Sequence, residues 1–428
     1  MTDLARKIVA LAATDPGGAL AWLDGGDGRG WLGLEADRTI EADSLAPLAA
    51  IEALWRARPE YVWVGQLGYD LGADTLLGRT PRRGRSPGLC MRRYAAALEL
   101  GAGQIHGDAA AGERLRARLG ACVPWDMSDR TWPLGPLRAA QDGDSYRAQV
   151  RAAQRSIAAG ETYQVNFSQA FTAPWQPAWT LRPLAQRAAA VYATLRGSAP
   201  ASMGALLAGA EGPAPPMWVV SNSPETLVSV ELGRGVGGLD RARSWPIKGT
   251  RPRGADPASD AAAAAELLAS EKDLAEHVMI VDLVRNDLGR LAVPGTVEAP
   301  RRPTLVSLPT VHHLVSEVRC TLARGWTLPD LLAAVFPAGS ITGAPKRRTV
   351  QIIDELEQRP RGLYCGAIMV LAPTEIRCSI PIRTGVLDAS GLTVQSGGGV
   401  VIDSEAEAER LESWAKVRAF DRSDRAGA

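Results

Sequence analysis

Between about Ser145 and Phe420 the chain reads as runs of short strands set among long helices, without regular strand–helix–strand alternation. That pattern points to an α+β fold rather than a Rossmann or barrel architecture. Tyr146 to Ala159 has helical spacing behind Asp144 or Ser145 as N-cap, and Gly160 stops it. Tyr163 to Ser168 follows as a strand, a helix covers 181–196, and strands are expected at 204–209, 217–221 and 226–232. Asp260 is the expected cap of one long helix over Ala261–Asp287, ended by Gly289. Helices at 328–336 and 345–358, strands at 364–371, 376–383 and 392–396, and a last helix from Ser404 to Phe420 complete this part. Residues 1–100 read as short β segments with Gly-rich turns, such as Ala19–Leu23 and Tyr61–Gly65. Residues 78–88 form a basic Pro/Gly loop, and 122–143, rich in Pro, Trp and Gly, read as the passage between two regions.

A chain of 428 residues exceeds what one compact core usually holds, so two lobes or one large layered domain are expected. The net charge of +1 supplies no bulk attraction toward nucleic acid or acidic lipid. No apolar run approaches the roughly 20 residues of a membrane helix, and Ile8 to Ala13 is too short for a signal sequence. Cys90, Cys122, Cys320, Cys365 and Cys378 are scattered, odd in number and never in C-x-x-C spacing. They imply a reducing cytoplasm and no zinc site. The 48 basic residues include only five lysines, Lys7, Lys248, Lys272, Lys346 and Lys416. Where arginine is the default cation, a persisting lysine suggests a need for a compact ammonium or a neutral amine, and the bias points at Lys248 and Lys346.

Four motifs could carry chemistry. Trp245-Pro246-Ile247-Lys248-Gly249-Thr250-Arg251-Pro252-Arg253-Gly254 brackets one lysine with two prolines and two glycines. A lysine held and desolvated there becomes a nucleophilic amine; the same residues also fit a surface turn with a solvated lysine. Asp273 and Glu276 on one helix, and Glu409 and Glu412 on another, are i,i+3 carboxylate pairs that could face each other around Mg²⁺. Solvated acidic faces account for them equally well, and Glu405, Glu407 and Glu409 suit a helix first turn. Gly339-Ser340-Ile341-Thr342-Gly343-Ala344-Pro345-Lys346 is a turn opening a helix, an anion site by its free N–H groups. Pro345 and Arg347 exclude a nucleotide-binding P-loop. Gln395-Ser396-Gly397-Gly398-Gly399-Val400 puts three glycines at the end of a strand, where a ligand can approach the backbone or the chain can simply turn. Of the four histidines, His312 and His313 are adjacent, so one is expected inward and one outward; His277 reads as structural and His106 has no context.

Together these motifs resemble the chorismate-utilising enzymes: anthranilate synthase component I, aminodeoxychorismate synthase component I, isochorismate synthase and salicylate synthase. The resemblance is dense from 145 to 420. It runs through Tyr163-Gln164-Val165-Asn166, Ser223-Pro224-Glu225, Pro246 to Pro252, Glu276 to Asp287, His312 to Ser316, Gly339 to Lys346, Ile382-Arg383-Thr384 and Gln395 to Val400. Gly68-Tyr69-Asp70-Leu71-Gly72 fits the aminodeoxychorismate branch. The resemblance implies a layered β-sandwich core flanked by helices, with two intimately packed lobes. Residues 1–125 would be an N-terminal lobe of the anthranilate synthase component I type, and 145–420 the chorismate-binding catalytic domain.

Two positions select the branch. Anthranilate synthases of this family carry alanine where Lys248 stands, and isochorismate and salicylate synthases carry a water-activating lysine in place of Gln164. Glutamine has no basic lone pair. The resemblance therefore implies conversion of chorismate and ammonia to 4-amino-4-deoxychorismate, the precursor of 4-aminobenzoate in folate biosynthesis. By the same resemblance Lys248 is the nucleophile, Glu225 the general acid, and His313 steadies the departing hydroxyl. Lys346, Arg383, Tyr364, Thr342, Gly397, Gly398, Gly399 and Gln164 would bind substrate, and Glu276, Glu412, Asp273 and Glu409 would hold Mg²⁺, directly or through water. The loop holding Gly233, Gly235, Gly237 and Gly238 reads as a hairpin tip. None of the five cysteines lies in Gly-x-Cys-x-Gly, so ammonia is expected from a separate glutamine amidotransferase subunit. The alternatives are anthranilate synthase component I and a non-catalytic chorismate-binding protein.

Overall fold

The computed structural model describes residues 1–15, 19–80, 88–126, 131–198, 200–209, 216–308 and 311–422. Most of the basic loop at 78–88 and part of the passage at 122–143 lie outside that set. Two large antiparallel sheets organise the chain, and segments from both of its halves build each one. The ten-stranded sheet runs in the order Gln104–Gly107, Ala96–Leu100, Gly30–Gly33, Ala21–Asp24, Met203–Ala208, Trp218–Ser223, Thr384–Asp388, Gly391–Val400, Val165–Pro174 and Arg138–Ala139. The eight-stranded sheet runs Val318–Thr321, Arg241–Ser244, Thr226–Glu231, Glu375–Ser379, Ala367–Leu371, Val62–Leu67, Leu89–Tyr94 and Ala36–Ala42. Residues 1–125 thus supply four strands to one sheet and three to the other, joined at Ala21–Asp24 against Met203–Ala208 and at Val62–Leu67 against Ala367–Leu371.

The alternation of apolar residues explains the layering. Leu23, Trp31, Val62, Val64, Tyr94, Leu207, Val219, Ile368 and Val370 form one buried cluster that draws on strands of both sheets. Opposite faces of the sheets are covered by helices, which gives each sheet a second core. This is the mixed helix-and-sheet layering expected above.

A third, three-stranded sheet (Ile247–Pro252, Val311–Val315, Thr304–Ser307) stands apart from the two large ones and carries Lys248 and His313. Two helices pack on it, Pro257–Ala269 and Glu271–Gly289. These two replace the single helix predicted over Ala261–Asp287. Ser270 has ψ 103, outside the helical region, and its hydroxyl accepts from Asp273 N–H to start the second helix. Asp256, in a capping box with Ser259, starts the first. Asp260 is occupied otherwise: it binds the Arg253 guanidinium, the Gly254 N–H and His312.

Other boundaries also moved for local reasons. Asp142, not Asp144 or Ser145, caps the helix Gly143–Ala158 by accepting from Ser145 N–H. Gly397 to Gly399 lie inside the strand Gly391–Val400 rather than at a strand's end, paired with Ser168 to Asn166. The β segments expected before residue 100 share that region with helices Asp3–Ala13, Leu48–Ala57 and Tyr69–Leu77. His312 and His313 are both buried, at 2% and 5% exposure, against the expected in–out alternation. The helix Pro257–Ala269 covers the face that His312 occupies, where it bonds Asp260 and Ser307. The glycines at 233–238 do form a hairpin tip between Thr226–Glu231 and Arg241–Ser244.

Candidate active site

Lys248 sits at a register shift in the small sheet, where Lys248 pairs with Leu314 and Thr250 with His313. Gly249 occupies the irregular position at φ +78, a conformation glycine adopts without steric cost. Helix Glu271–Gly289 packs against this strand. Burial is the largest influence on the Lys248 amine and pushes its pKa down. Glu276 from that helix, Glu225, and Glu412 from the helix Ala406–Val417 push it back up, while Lys416 adds to the depression. One amine therefore feels carboxylates from three separate elements.

Glu225 is 8% exposed, between strands Trp218–Ser223 and Thr226–Glu231. Burial raises its carboxyl above the ordinary range, partly offset by a hydrogen bond from Ser340 and by Lys248, Lys416 and Arg383. Arg383 has φ 50, and its guanidinium makes no hydrogen bond or ion pair among the described residues. Burial lowers its pKa, and Glu225 acts against that. A partly buried guanidinium without a carboxylate partner among the described residues is ready for an anionic ligand. His313 donates to or accepts from Thr250 Oγ1 at 2.9 Å, and burial followed by Arg383 pushes its pKa down. Burial and the same cation both disfavour the charged form of its ring.

The glycine strand borders these groups. Thr384–Asp388 pairs with Gly391 to Val394, so from Gln395 onward that edge of the strand has no ladder partner among the described residues. Alternate backbone amides there are free to meet a ligand. A β-carbon at Gly398 would lie 2.5 Å from Glu409 Oε2 and 3.4 Å from Glu412 Oε1. At Gly399 it would collide with the Gln164 amide. The two glycines are thus what lets the carboxylate helix and Gln164 approach the strand. Gln164 is fully buried, and neither its Oε1 nor its Nε2 has a partner among the described residues.

The four acidic residues expected around a cation differ in their engagements. Glu276 makes no ion pair among the described residues. Glu412 pairs with Lys416 Nζ at 2.6 Å, and Lys416 also donates to Gly397 O at 2.9 Å. Glu409 accepts from Ser404 Oγ, but its Oε2 is buried without a partner among the described residues. Asp273 is bound by Arg251 at 3.0 Å. No three His, Cys, Asp or Glu side chains among the described residues gather into a cation cage. Glu276 and Glu412 instead offer one carboxylate each from two separate helices, both close enough to Lys248 to influence it. That donor set fits Mg²⁺, which uses one or two carboxylates and completes its shell with water and substrate oxygens.

Three expected substrate contacts are engaged elsewhere. Lys346 is in a largely buried ion pair with Asp287 at 2.9 Å. Thr342 is fully buried and donates to Ala338 O at 2.9 Å. Tyr364 is buried beneath the Arg361 guanidinium, 5.7 Å from its ring centre. Two residues entered the site unannounced. Ser340 was part of a motif without a role of its own, and Lys416 was one of the five lysines. The i,i+4 spacing of Glu412 and Lys416 was the available signal for the latter.

The profile of the chorismate binding enzyme family matches residues 19–422. An aminodeoxychorismate synthase from Streptomyces griseus is 42% identical over 289 residues, 66% of this chain and 36% of that protein. Aminodeoxychorismate synthase component 1 from Salmonella typhimurium is 40% identical over 301 residues, 68% of this chain and 62% of the relative. Anthranilate synthase component 1 from Streptomyces coelicolor is 40% identical over 303 residues, 71% and 54% of the two chains. The matched stretch is less than two thirds of the length of each of these relatives. Among solved structures, anthranilate synthase component I from Streptococcus pneumoniae superposes with a TM-score of 0.71 at 26% identity, covering 94% of this chain and 90% of that one. The menaquinone-specific isochorismate synthase from Escherichia coli shares the fold with a TM-score of 0.71 at 18% identity, covering 96% and 90%. No helix among the described residues is long and apolar enough to cross a membrane. The chain belongs to the chorismate binding enzyme family.

Proposed function

We propose that this chain converts chorismate and ammonia to 4-amino-4-deoxychorismate through a covalent bond to Lys248. The observation that carries the proposal is one pair of groups: an amine with its pKa lowered by burial and, close enough to influence it, a carboxyl with its pKa raised by burial. A neutral amine and a protonated acid are the two species the reaction needs at once. The Lys248 lone pair adds to ring carbon C2, the ring double bonds shift, and the C4 hydroxyl leaves as water with the proton of Glu225. Ammonia then adds at C4, the double bonds shift back, and Lys248 leaves C2 as the amine. His313 steadies the departing hydroxyl. One difficult substitution becomes two easier ones.

Chorismate is a dianion. The guanidinium of Arg383 and the outward backbone amides of Gly397 and Gly399, which flank Gly398 in the strand, suit its carboxylates. Lys416, already on the Gly397 carbonyl, stands beside them. Gln164, whose amide lies against Gly399 without a partner among the described residues, is a further contact, and the parts given to Tyr364 and Thr342 rest on the family resemblance alone. Lys346 contributes once its pair with Asp287 opens. Mg²⁺ held by Glu276 and Glu412, with Glu409 and Asp273 through water, would neutralise substrate carboxylate charge. Because amination needs ammonia and the buried thiols are poor nucleophiles, the partner is a glutamine amidotransferase. Burial pushes Cys90 and Cys320 up to about 11 and Cys365 and Cys378 up to about 12. All five cysteines are free, in keeping with a cytoplasmic enzyme of folate biosynthesis.

The similarity to anthranilate synthase component 1 supports a second reading, amination at C2. Incubation with chorismate, Mg²⁺ and ammonium, followed by mass spectrometry and NMR of the product, decides between them. A C4-aminated product that disappears in Lys248→Ala supports the proposal. Undiminished turnover in that variant, or amino transfer to C2, overturns it.

A further inference from the structure

Glu225 is held at three points. Its N–H donates to Ser223 Oγ at 3.2 Å, its carbonyl accepts from Ile380 N–H at 3.0 Å, and its Oε1 accepts from Ser340 Oγ at 2.7 Å. Ser223 donates in turn to the Ile380 carbonyl. The backbone of Glu225 is therefore fixed without Ser340, which touches only the carboxyl group. Ser340 arrives on a different element, the short turn Gly339–Ile341. Among the described residues Glu225 is the sole acceptor for the Ser340 hydroxyl, so its hydrogen points at Oε1. Oε2 has no hydrogen bond among them.

We infer that Ser340 is a positioning residue that occupies Oε1 and so directs the acidic proton of Glu225 onto Oε2, the oxygen left free to donate it. A proton on Oε1 would meet the serine hydrogen head-on or force the hydroxyl to turn and give up its only acceptor. A proton on Oε2 keeps the bond intact. The inference rests on the general-acid role given to Glu225 above. The other groups facing this carboxyl are Lys248 from the small sheet, Lys416 from the last helix, Arg383 and the Cys365 thiol. Asp287 lines the small cavity beside Glu225 and Ser340 and is paired with Lys346. A Ser340→Ala change leaves all of these in place. It removes the one donor that works against burial through direct contact, so the carboxyl should hold its proton to higher pH.

The test compares wild type, Ser340→Ala, Ser340→Thr and Glu225→Gln in two measurements. The first is the infrared titration of the protonated-carboxyl band, assigned by its loss in Glu225→Gln. The second is the pH dependence of kcat for chorismate amination. In Ser340→Ala the band persists to higher pH, the descending limb of kcat moves the same way, kcat falls on the order of tenfold, and KM changes little. Ser340→Thr, which keeps the hydroxyl, restores both profiles. Coincident infrared titrations in Ser340→Ala and wild type overturn the inference whatever the product assay shows. A shifted band alongside a wild type that forms no C4-aminated product upholds the Ser340 contact and removes the proposed reaction instead.

Discussion

Glu225 and Glu357 are both buried glutamates near arginine, and their carboxyls move in opposite directions. Glu357, at the end of helix Lys346–Glu357, accepts from Arg361 Nε at 3.0 Å, from Arg361 Nη2 at 2.7 Å, and from the N–H and Oγ of Ser168 at 2.8 Å each. Arg361, 1% exposed, spends its other donors on the carbonyls of Ile341 and Asn166 and lies over the rings of Tyr69 and Tyr364. Burial alone would raise the Glu357 pKa, but Arg361, Arg359 and Ser168 outweigh it and the carboxyl ends below its usual range. Glu225 receives one side-chain hydrogen bond, and its cations act only at a distance, so burial wins. The count of direct donors decides the sign. A saturated carboxylate anchors structure, whereas an under-satisfied one can exchange a proton.

The sharpest way to break this contrast is chemical. Lys248→Ala should lower kcat for C4 amination by about a thousandfold or more, followed by product mass spectrometry, with unfolding unchanged or slightly improved. Glu225→Gln should cost about 10²–10⁴ in kcat and leave chemical denaturation at neutral pH level with or above wild type. Glu357→Gln should do the reverse, losing about 3–5 kcal/mol of unfolding free energy by urea titration. Acid should narrow that stability gap. Glu357, with its folded pKa depressed, stabilises the fold above the ordinary carboxylate range and loses that contribution as pH falls through its lowered value. Glu225, with its folded pKa raised, favours the fold at low pH and loses this as pH rises through its raised value. If both variants unfold alike across pH, the distinction between anchor and acid is wrong. A smaller effect is expected of Gly398→Ala: its β-carbon presses on Glu409 and Glu412, and the Mg²⁺ concentration for half-maximal activity should rise about tenfold, read from Mg²⁺ titrations of turnover. Smallest is the rate profile itself, which should climb as Lys248 loses its proton and fall as Glu225 loses its own.

The anchor and the site were not equally legible in the sequence. Lys248 stood out because it is a rare lysine between prolines and glycines, and the strand and helix content from 145 to 420 followed from periodicity. The break at Ser270 was hidden by an unbroken helix-forming run, although Ser270 three residues before Asp273 is a capping pattern. The burial of both His312 and His313 depends on a helix folding back over the sheet, which no local window contains. Arg361 and Glu357 are an ordinary i,i+4 pair in sequence, and only tertiary packing seals them from water. Lys346 was read as a substrate cation from its place at a helix-opening turn and from the family resemblance; its ion pair with Asp287, 59 positions earlier in the chain, shows only in the fold.

The interleaving of the two halves in both sheets has a consequence for how the molecule is made. Strand Val62–Leu67 finds its neighbour Leu89–Tyr94 early, but its other neighbour, Ala367–Leu371, leaves the ribosome only after most of the chain has been synthesised. Until then an apolar strand edge stays unclaimed. Such distant pairing makes folding slow and nascent chains prone to clumping, so the yield of active protein should depend on chaperone supply and growth temperature more than its final stability would suggest.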